Sequence, residues 1–411
     1  MDDNSLTWVV LAGGRGTRSE NPELPKVLQS VGQQVVLDFL VDSLGKQNLA
    51  NSIFVISHGA EQVKAAVQLI SGGHSQPMVF FDKGRGPVDA LISASSIINS
   101  KYVGVILGDT LISAPLPELA TKFITSGYKA AITVRQSDHL YDSDAVTVDY
   151  RGNVTSYSPK SKQKDIRLGQ IWGVTGVLFL SADLIGKLDS SKPDIVNALF
   201  SLSSVVSSVK ALKTCSYFRD SGTPDRIRRI RADYESGMLV YPRLPGKRPC
   251  VFIDRDGTLF EDLPLGRKVV QKSELFDSTV SLIRESNKKG VPVIMVSNQP
   301  AIAKGFIDFG DVYCVHNVLQ SELLSLGAKI DDFYFCPHHP ETGFCGEIQS
   351  LKTVCQCRKP ATGLFETASE EHGLLLNQDS ILVGDSESDS AAAGTLGLKF
   401  IDVLELNSKH C

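Results

Sequence analysis

The sequence predicts an α/β protein of two Rossmann-like domains, and three observations carry that expectation. Short apolar runs alternate with helix- or loop-length segments along the chain, the pattern of strands joined by crossovers. The stretch SGMLVYPRLPGKRP from Ser236, with three prolines and two glycines in 14 residues, interrupts the series as a linker does. The length, 411 residues, exceeds what one ordinary core organises. The expected division is a first domain over 1–237, a linker over 238–247 and a second domain over 248–411.

In the first part the strand-like runs are WVVLAGG at 8–14, IFVIS at 53–57, MVFF at 78–81, VGVILGD at 103–109 and AAITVR at 130–135. Crossover-length spacing predicts a mainly parallel, doubly wound sheet. AVTVDYRGNVTSYS at 145–158 reads as a hairpin about Arg151-Gly152-Asn153, and GVTGVLFLS at 173–181 as a further strand. The second series is CVFIDRDG at 250–257, VPVIMVSN at 291–298, DDFYFCP at 331–337, SILVGDS at 380–386 and LKFIDV at 398–403. Its first four runs end in residues able to do chemistry, where open α/β sheets place their sites.

A formal net charge of −4 with 21% charged residues leaves no electrostatic footprint for nucleic acid. No apolar run approaches the roughly 18 residues of a membrane span. The acidic start MDDNSLTWVV lacks the basic region of a signal peptide. The expectation is a cytoplasmic protein with small-molecule partners, no nucleic acid and no membrane, whose eight cysteines stay reduced.

Asp254-Arg255-Asp256-Gly257-Thr258 ends the first strand of the second series. Two carboxylates two residues apart, with Gly257 permitting a sharp turn, supply a nucleophile and a proton donor to one phosphorus centre. Ser297-Asn298 offers a hydroxyl and an amide to phosphate oxygens, Lys359 a fixed cation, and Asp385 with Asp389 carboxylates for Mg²⁺. Over 248–411 this set resembles the haloacid dehalogenase superfamily of phosphatases. The resemblance implies Asp254 as nucleophile and Asp256 as acid, then base. It further implies Ser297 and Lys359 on the phosphoryl group, Thr258 beside it, and Mg²⁺ on Asp254, the backbone of Asp256 and Asp385. The spacings from Asp254 to Ser297 and from Ser297 to Lys359 leave no room for a helical cap domain.

Cys336-x-His338 and Cys355-x-Cys357 give three thiolates and one imidazole, a closed tetrahedral set suited to structural Zn²⁺, with His339 and Cys345 as bystanders. CPHHP, then CxCRKP, with SNQPAIAKG upstream, is similar to the subfamily of D-glycero-D-manno-heptose-1,7-bisphosphate 7-phosphatases and histidinol-phosphate phosphatases. There a zinc loop shapes the pocket, which implies Arg358, Asn298 and Gln299 as substrate contacts.

In the first part, Leu11-Ala12-Gly13-Gly14-Arg15-Gly16-Thr17-Arg18 follows the first strand and Pro25-Lys26 follows a short loop. Backbone N–H groups at Gly13, Gly14, Gly16 and Thr17 can approach a nucleotide, while Arg15, Arg18 and Lys26 neutralise its triphosphate. This is neither a Walker A loop nor GxGxxG. Over 6–236 it resembles the sugar-1-phosphate nucleotidyltransferases, which implies Asp109 and Asp220 as Mg²⁺ carboxylates and Lys160 as a sugar-phosphate contact. Ser19 with a longer loop, and Gly84-Arg85-Gly86-Pro87 for the usual Gly-Thr-Gly turn, depart from that pattern. The combined expectation is a bifunctional enzyme that removes the C7 phosphate of a heptose 1,7-bisphosphate and couples the 1-phosphate to a nucleotide, with GTP favoured. The alternatives are another sugar-1-phosphate transferase fused to a histidinol-phosphate-type phosphatase, or a phosphatase carrying a degenerate nucleotide-binding module.

Overall fold

The computed structural model describes residues 5–14, 23–71, 76–136, 144–159, 167–202, 209–239, 246–262 and 270–408. Arg15, Gly16, Thr17, Arg18 and Lys160, with most of the expected linker, lie outside the described residues. The first part holds β1 (Leu6–Leu11), β2 (Ser30–Val31), β3 (Gln34–Val35), β4 (Ser52–Ile56), β5 (Met78–Phe81), β6 (Tyr102–Leu107) and β7 (Thr110–Ser113). It continues through β8 (Ala130–Arg135), β9 (Ala145–Val148), β10 (Val154–Ser158), β11 (Gln170–Ser181), β12 (Val209–Lys213) and β13 (Tyr217–Asp220).

The main sheet runs β10-β9-β11-β6-β1-β4-β5, with β8 pairing β11 and β12. It is mixed rather than mainly parallel. β1, β4, β5 and β6 pair in parallel as expected, but the 12-residue β11 lies antiparallel to β6, β8 and β9. β9 and β10 form the expected hairpin, and β11 follows it back across the sheet. Both faces are covered. Trp8 and Val10 pack into one core with Phe54 and Ile106, while Val9 packs into the other with Val55 and Val105. Such strands read as unbroken apolar runs because neither face meets water.

β14 (Val251–Ile253), β15 (Val293–Asn298), β16 (Asp332–Cys336), β17 (Ile381–Gly384) and β18 (Lys399–Asp402) form a second sheet in the order β16-β15-β14-β17-β18. Every pairing in it is parallel, so all carboxyl ends lie along one edge. Between β15 and β16 lie only the helices Pro300–Ala303 and Phe309–Ser325.

The helix Phe309–Ser325 also docks on the first part. Asp308 caps it by accepting from Asp311 N at 2.7 Å, and Arg167 pairs with both Asp308 and Asp311, at 2.9 and 2.7 Å. Asn317 accepts from Ile171 N and donates to Gly169 O, each at 3.0 Å, and Tyr313 Oη accepts from Tyr150 N at 2.9 Å. Beside it, Lys213 Nζ at the end of β12 lies 3.2 Å from Asp332 and 3.4 Å from Glu371, and His372 Nε2 lies 2.8 Å from Asp332. Burial opposes charge on Asp332, but Lys213 and His372 hold its carboxyl below the usual range. Lys213→Met would take the lysine charge from the buried Asp332, leaving it the His372 ring and the Phe333 N–H. The expected cost is about 3–5 kcal/mol, read as a lower denaturation midpoint; an unchanged midpoint would mean that the contact contributes nothing.

Candidate active sites

The phosphatase-like site stands at the carboxyl edge of the second sheet. Asp254 follows β14, its N–H bonded to Val383 O at 3.0 Å, and the chain then turns at Gly257, which has φ +74°. A Cβ at Gly257 would collide with the Asp385 carboxylate, so glycine is needed both for the backbone and for the close approach. Lys359 Nζ lies 2.7 Å from Asp254 Oδ1, 2.7 Å from Asp389 Oδ1 and 2.8 Å from Val296 O, and the residue is buried. Asp389 reaches this position because its other oxygen accepts from Ser386 N and Oγ, closing the capping box of the helix Glu387–Leu396.

Oxygens of Asp254, Asp385 and Asp389 all lie within 4.8 Å of one another. Burial, opposed by Lys359 and reinforced by Asp389, pushes the Asp254 carboxyl up to about 7. Burial also raises Asp385. Three crowded carboxylates against one ammonium fit a divalent cation, which would favour the charged forms of Asp254 and Asp385.

The expected residues converge, with two refinements. The Asp256 side chain is not among these carboxylates but is engaged by Arg255 and Gln299. Asn298 is committed to the backbone of Lys359: its Oδ1 accepts from Lys359 N at 3.0 Å and its Nδ2 donates to Lys359 O at 3.1 Å. Gln299 Nε2 lies 2.7 Å from Asp256 Oδ2 and 2.8 Å from Ser297 Oγ. Thr258 is buried, its Oγ1 3.4 Å from Asp385. Arg358 Nη1 is buried without a hydrogen-bond partner among the described residues, as suits an anion-binding group.

Cys336, His338, Cys355 and Cys357 meet as expected. The sulfur pairs lie 3.5, 3.3 and 3.2 Å apart, and His338 Nδ1 is 3.6 Å from Cys336 and 3.1 Å from Cys357. A hydrogen bond to Cys336, then burial, pushes the Cys357 thiol up, while burial lowers His338 and keeps its ring neutral. Soft donors packed this closely fit a tetrahedral metal.

In the first part a cavity of about 330 Å³ is lined by Gly13, Gly14, Lys26, Ser57, Asp82, Gly84, Gly86 and Asp109. Gly13 is packed on Ser57, whose Oγ donates to Gly13 O at 2.7 Å, and a Cβ there would lie 2.6 Å from that oxygen. Lys26 Nζ pairs with Asp109 at 2.6 Å. Asp220 is brought beside Asp109 because β13 pairs with β7, placing Asp220 opposite Thr110. Burial and the charge of Asp109 raise Asp220, and Arg226 pairs with it. Two adjacent acids with Lys26 fit a cation shared with a polyphosphate. Ser57 and Asp82 were not among the expected residues; neither sits in a motif, and only the fold brings them to the cavity. Gly84 and Gly86 line the same cavity as Gly13.

Residues 8–212 match the MobA-like NTP transferase domain, and residues 356–408 match the HAD-hydrolase-like family. Among curated proteins, the chain is 32% identical over 153 residues to a D-glycero-beta-D-manno-heptose-1,7-bisphosphate 7-phosphatase of Rhodopseudomonas palustris, covering 37% of this chain and 81% of that protein. It is 31% identical over 167 residues to the "Probable D-glycero-D-manno-heptose-1,7-bisphosphate 7-phosphatase" of Thermoplasma acidophilum, covering 40% and 96%. The chain belongs to this phosphatase family. It fuses a Mg²⁺-dependent, haloacid dehalogenase-type member of the heptose bisphosphatase family to a MobA-like nucleotidyltransferase. Among solved structures, HddC from Yersinia pseudotuberculosis is 23% identical, covering 56% of this chain and 99% of that one, with a TM-score of 0.45. No helix among the described residues is long and apolar enough to cross a membrane.

Proposed function

We propose that residues 248–411 dephosphorylate D-glycero-D-manno-heptose 1,7-bisphosphate at C7, and that residues 1–237, joined through 238–247, transfer a nucleotidyl group, GMP by preference, to the heptose 1-phosphate. The observation that carries the first activity is Lys359 bridging Asp254 and Asp389 beside Ser297 and Asp256. Asp254 attacks phosphorus, forming an aspartyl-phosphate as the C7 oxygen leaves. Asp256 gives that oxygen its proton and then takes one from the attacking water. Ser297 and Lys359 hold the equatorial oxygens, and Arg358 takes the distal phosphate. Mg²⁺, held by Asp254, Asp385 and the backbone of Asp256 with Asp389 behind them, would supply charge neutralisation at the phosphoryl group. Zn²⁺ on Cys336, His338, Cys355 and Cys357 would hold the loop that carries Arg358 and Lys359. Thiols kept reduced for that metal suit the cytoplasm.

For the second activity, Lys26 with Arg15 and Arg18 neutralises the triphosphate, while Gly13, Gly14, Gly16 and Thr17 approach it. Asp109 and Asp220 would hold Mg²⁺ between it and the attacking sugar phosphate, which Lys160 orients. Asp82 supports guanine, because adjacent N1–H and N2–H donors on that base match a carboxylate. The test is to measure pyrophosphate from each NTP with heptose 1-phosphate, and phosphate from the bisphosphate and from histidinol phosphate. Asp82→Ala should lower kcat/KM for GTP by about a hundredfold or more and flatten the NTP preference. An unchanged preference would remove Asp82 from base selection, and faster histidinol phosphate turnover would remove the heptose assignment.

Proton competition gives a further expectation. Below about pH 7, Asp254 carries a proton that Mg²⁺ must displace. Mg²⁺ affinity of the phosphatase site should therefore rise as pH rises through 7, by up to about tenfold per unit below it, and level off above. Calorimetric titration of Asp109→Asn protein, which removes a ligand of the other Mg²⁺ site, at pH 6 and pH 8 checks this; equal affinities would mean that Asp254 is not a ligand.

A further inference from the structure

Asp256 is gripped from two sides. Arg255 places Nε 3.0 Å from Oδ1 and Nη2 2.8 Å from Oδ2, while Gln299 Nε2 reaches Oδ2 at 2.7 Å. A guanidinium that meets both oxygens fixes the plane of the carboxylate as well as its position. Arg255 is itself only 6% exposed. A buried guanidinium needs partners for its remaining donors.

Its Nη1 lies 3.4 Å from His316 Nε2. That ring is 1% exposed, stacked on Phe333 at 5.0 Å and edge-on to Phe335 at 5.7 Å, so its position is set by packing. Burial, then the charge of Arg255, holds His316 well below the ordinary histidine range, which leaves a neutral ring able to accept from the guanidinium. His316 stands on the helix Phe309–Ser325, one residue before Asn317, whose amide is bonded to Gly169 and Ile171 of the first part. A continuous series of contacts thus runs from the nucleotidyltransferase half through His316 and Arg255 to Asp256.

We propose that Arg255 is a positioning residue for proton transfer by Asp256, held in register by His316 on the helix that joins the two halves. The proposal rests on the reading of Asp256 as the acid of the phosphatase reaction. Arg255 itself gives up no proton; it aims the carboxyl group at the leaving oxygen.

The consequence depends on the leaving group. A sugar alkoxide must be protonated as the P–O bond breaks, whereas a nitrophenolate leaves without a proton. kcat/KM reports formation of the aspartyl-phosphate, before Asp256 is needed to activate water. A misaimed acid therefore slows the sugar ester and spares the aryl ester in kcat/KM. A general loss of structure would slow both.

The experiment uses the full chain with Mg²⁺, comparing the heptose bisphosphate with p-nitrophenyl phosphate. Arg255→Met should lower kcat/KM for the sugar ester by about ten- to a hundredfold while holding the aryl ester within about threefold. Arg255→Lys should recover part of the loss, and His316→Gln should show a smaller loss with the same selectivity. Arg255→Met combined with Asp256→Asn should be no slower than Asp256→Asn alone, since both remove the same function. Equal losses on both esters, a faster Arg255→Met enzyme, or additive effects in the double variant would overturn the proposal. Asp256→Asn separates the two levels. If it is selective for the sugar ester and Arg255→Met is not, the positioning role alone falls; if Asp256→Asn is itself unselective, the acid assignment falls and the proposal with it. Should Arg255→Met fail to fold, Arg255→Lys and His316→Gln carry the same readout.

Discussion

Asp254→Asn protein should release phosphate from the bisphosphate at least about four orders of magnitude more slowly, because an amide cannot replace a carboxylate as nucleophile. The substitution preserves shape, and Lys359 keeps its contacts with Asp389 and Val296 O, so the fold should survive. Nucleotidyl transfer to supplied heptose 1-phosphate should be nearly untouched, since Lys26, Asp109 and Asp220 meet in the first part of the chain, away from the second sheet. Offered the bisphosphate with GTP, the variant should form no nucleotide sugar. Nucleotide sugar appearing there would show that the second site accepts the 7-phosphorylated substrate, and the proposed order would be wrong. Asp109→Asn should give the converse separation.

The second sheet was legible because its chemistry is attached to its strands. Parallel strands buried on both faces read as apolar runs; Asp254 and Asp385 directly follow two of them, and Ser297 lies near the end of a third. The zinc-type cluster was legible because two ligand pairs flank one loop. The antiparallel course of β11 was less so, since an apolar run carries no direction and GVTGVLFLS would fit either sense. Asn298 could be placed at the site but not given its job; only the fold shows its amide spent on the backbone of Lys359. Ser57, Asp82 and His316 carry no motif at all: Ser57 and His316 act by reaching residues distant in sequence, and only the fold brings Asp82 to the cavity. Lys213 is the plainest case, because its partners Asp332 and Glu371 belong to the other half of the chain.

Purified protein should carry stoichiometric zinc that survives dialysis, and Cys357→Ser protein should lack it and lose about a hundredfold of its phosphatase activity. The scale follows from what the loop has besides the metal. His339 N bonds Leu351 O, Ile348 N bonds Ala303 O, and Lys352 pairs with Glu347, while much of the remainder is exposed. Zinc binding contributes about 10–16 kcal/mol in small zinc-folded peptides, far more than these contacts supply. Without the dication, nothing holds three sulfurs 3.2 to 3.5 Å apart as ligands of one centre, and the group must spread. Lys359 should suffer less than its neighbour, because Asn298 fixes its backbone from β15. Arg358 has no such support, so the loss should fall more heavily on the bisphosphate than on an aryl phosphate that has no distal phosphate to hold. This pattern differs from that of Arg255→Met, since it should appear largely in KM. Metal analysis beside steady-state kinetics decides the matter: zinc-free protein with full activity on the bisphosphate would break the link between the cluster and the site.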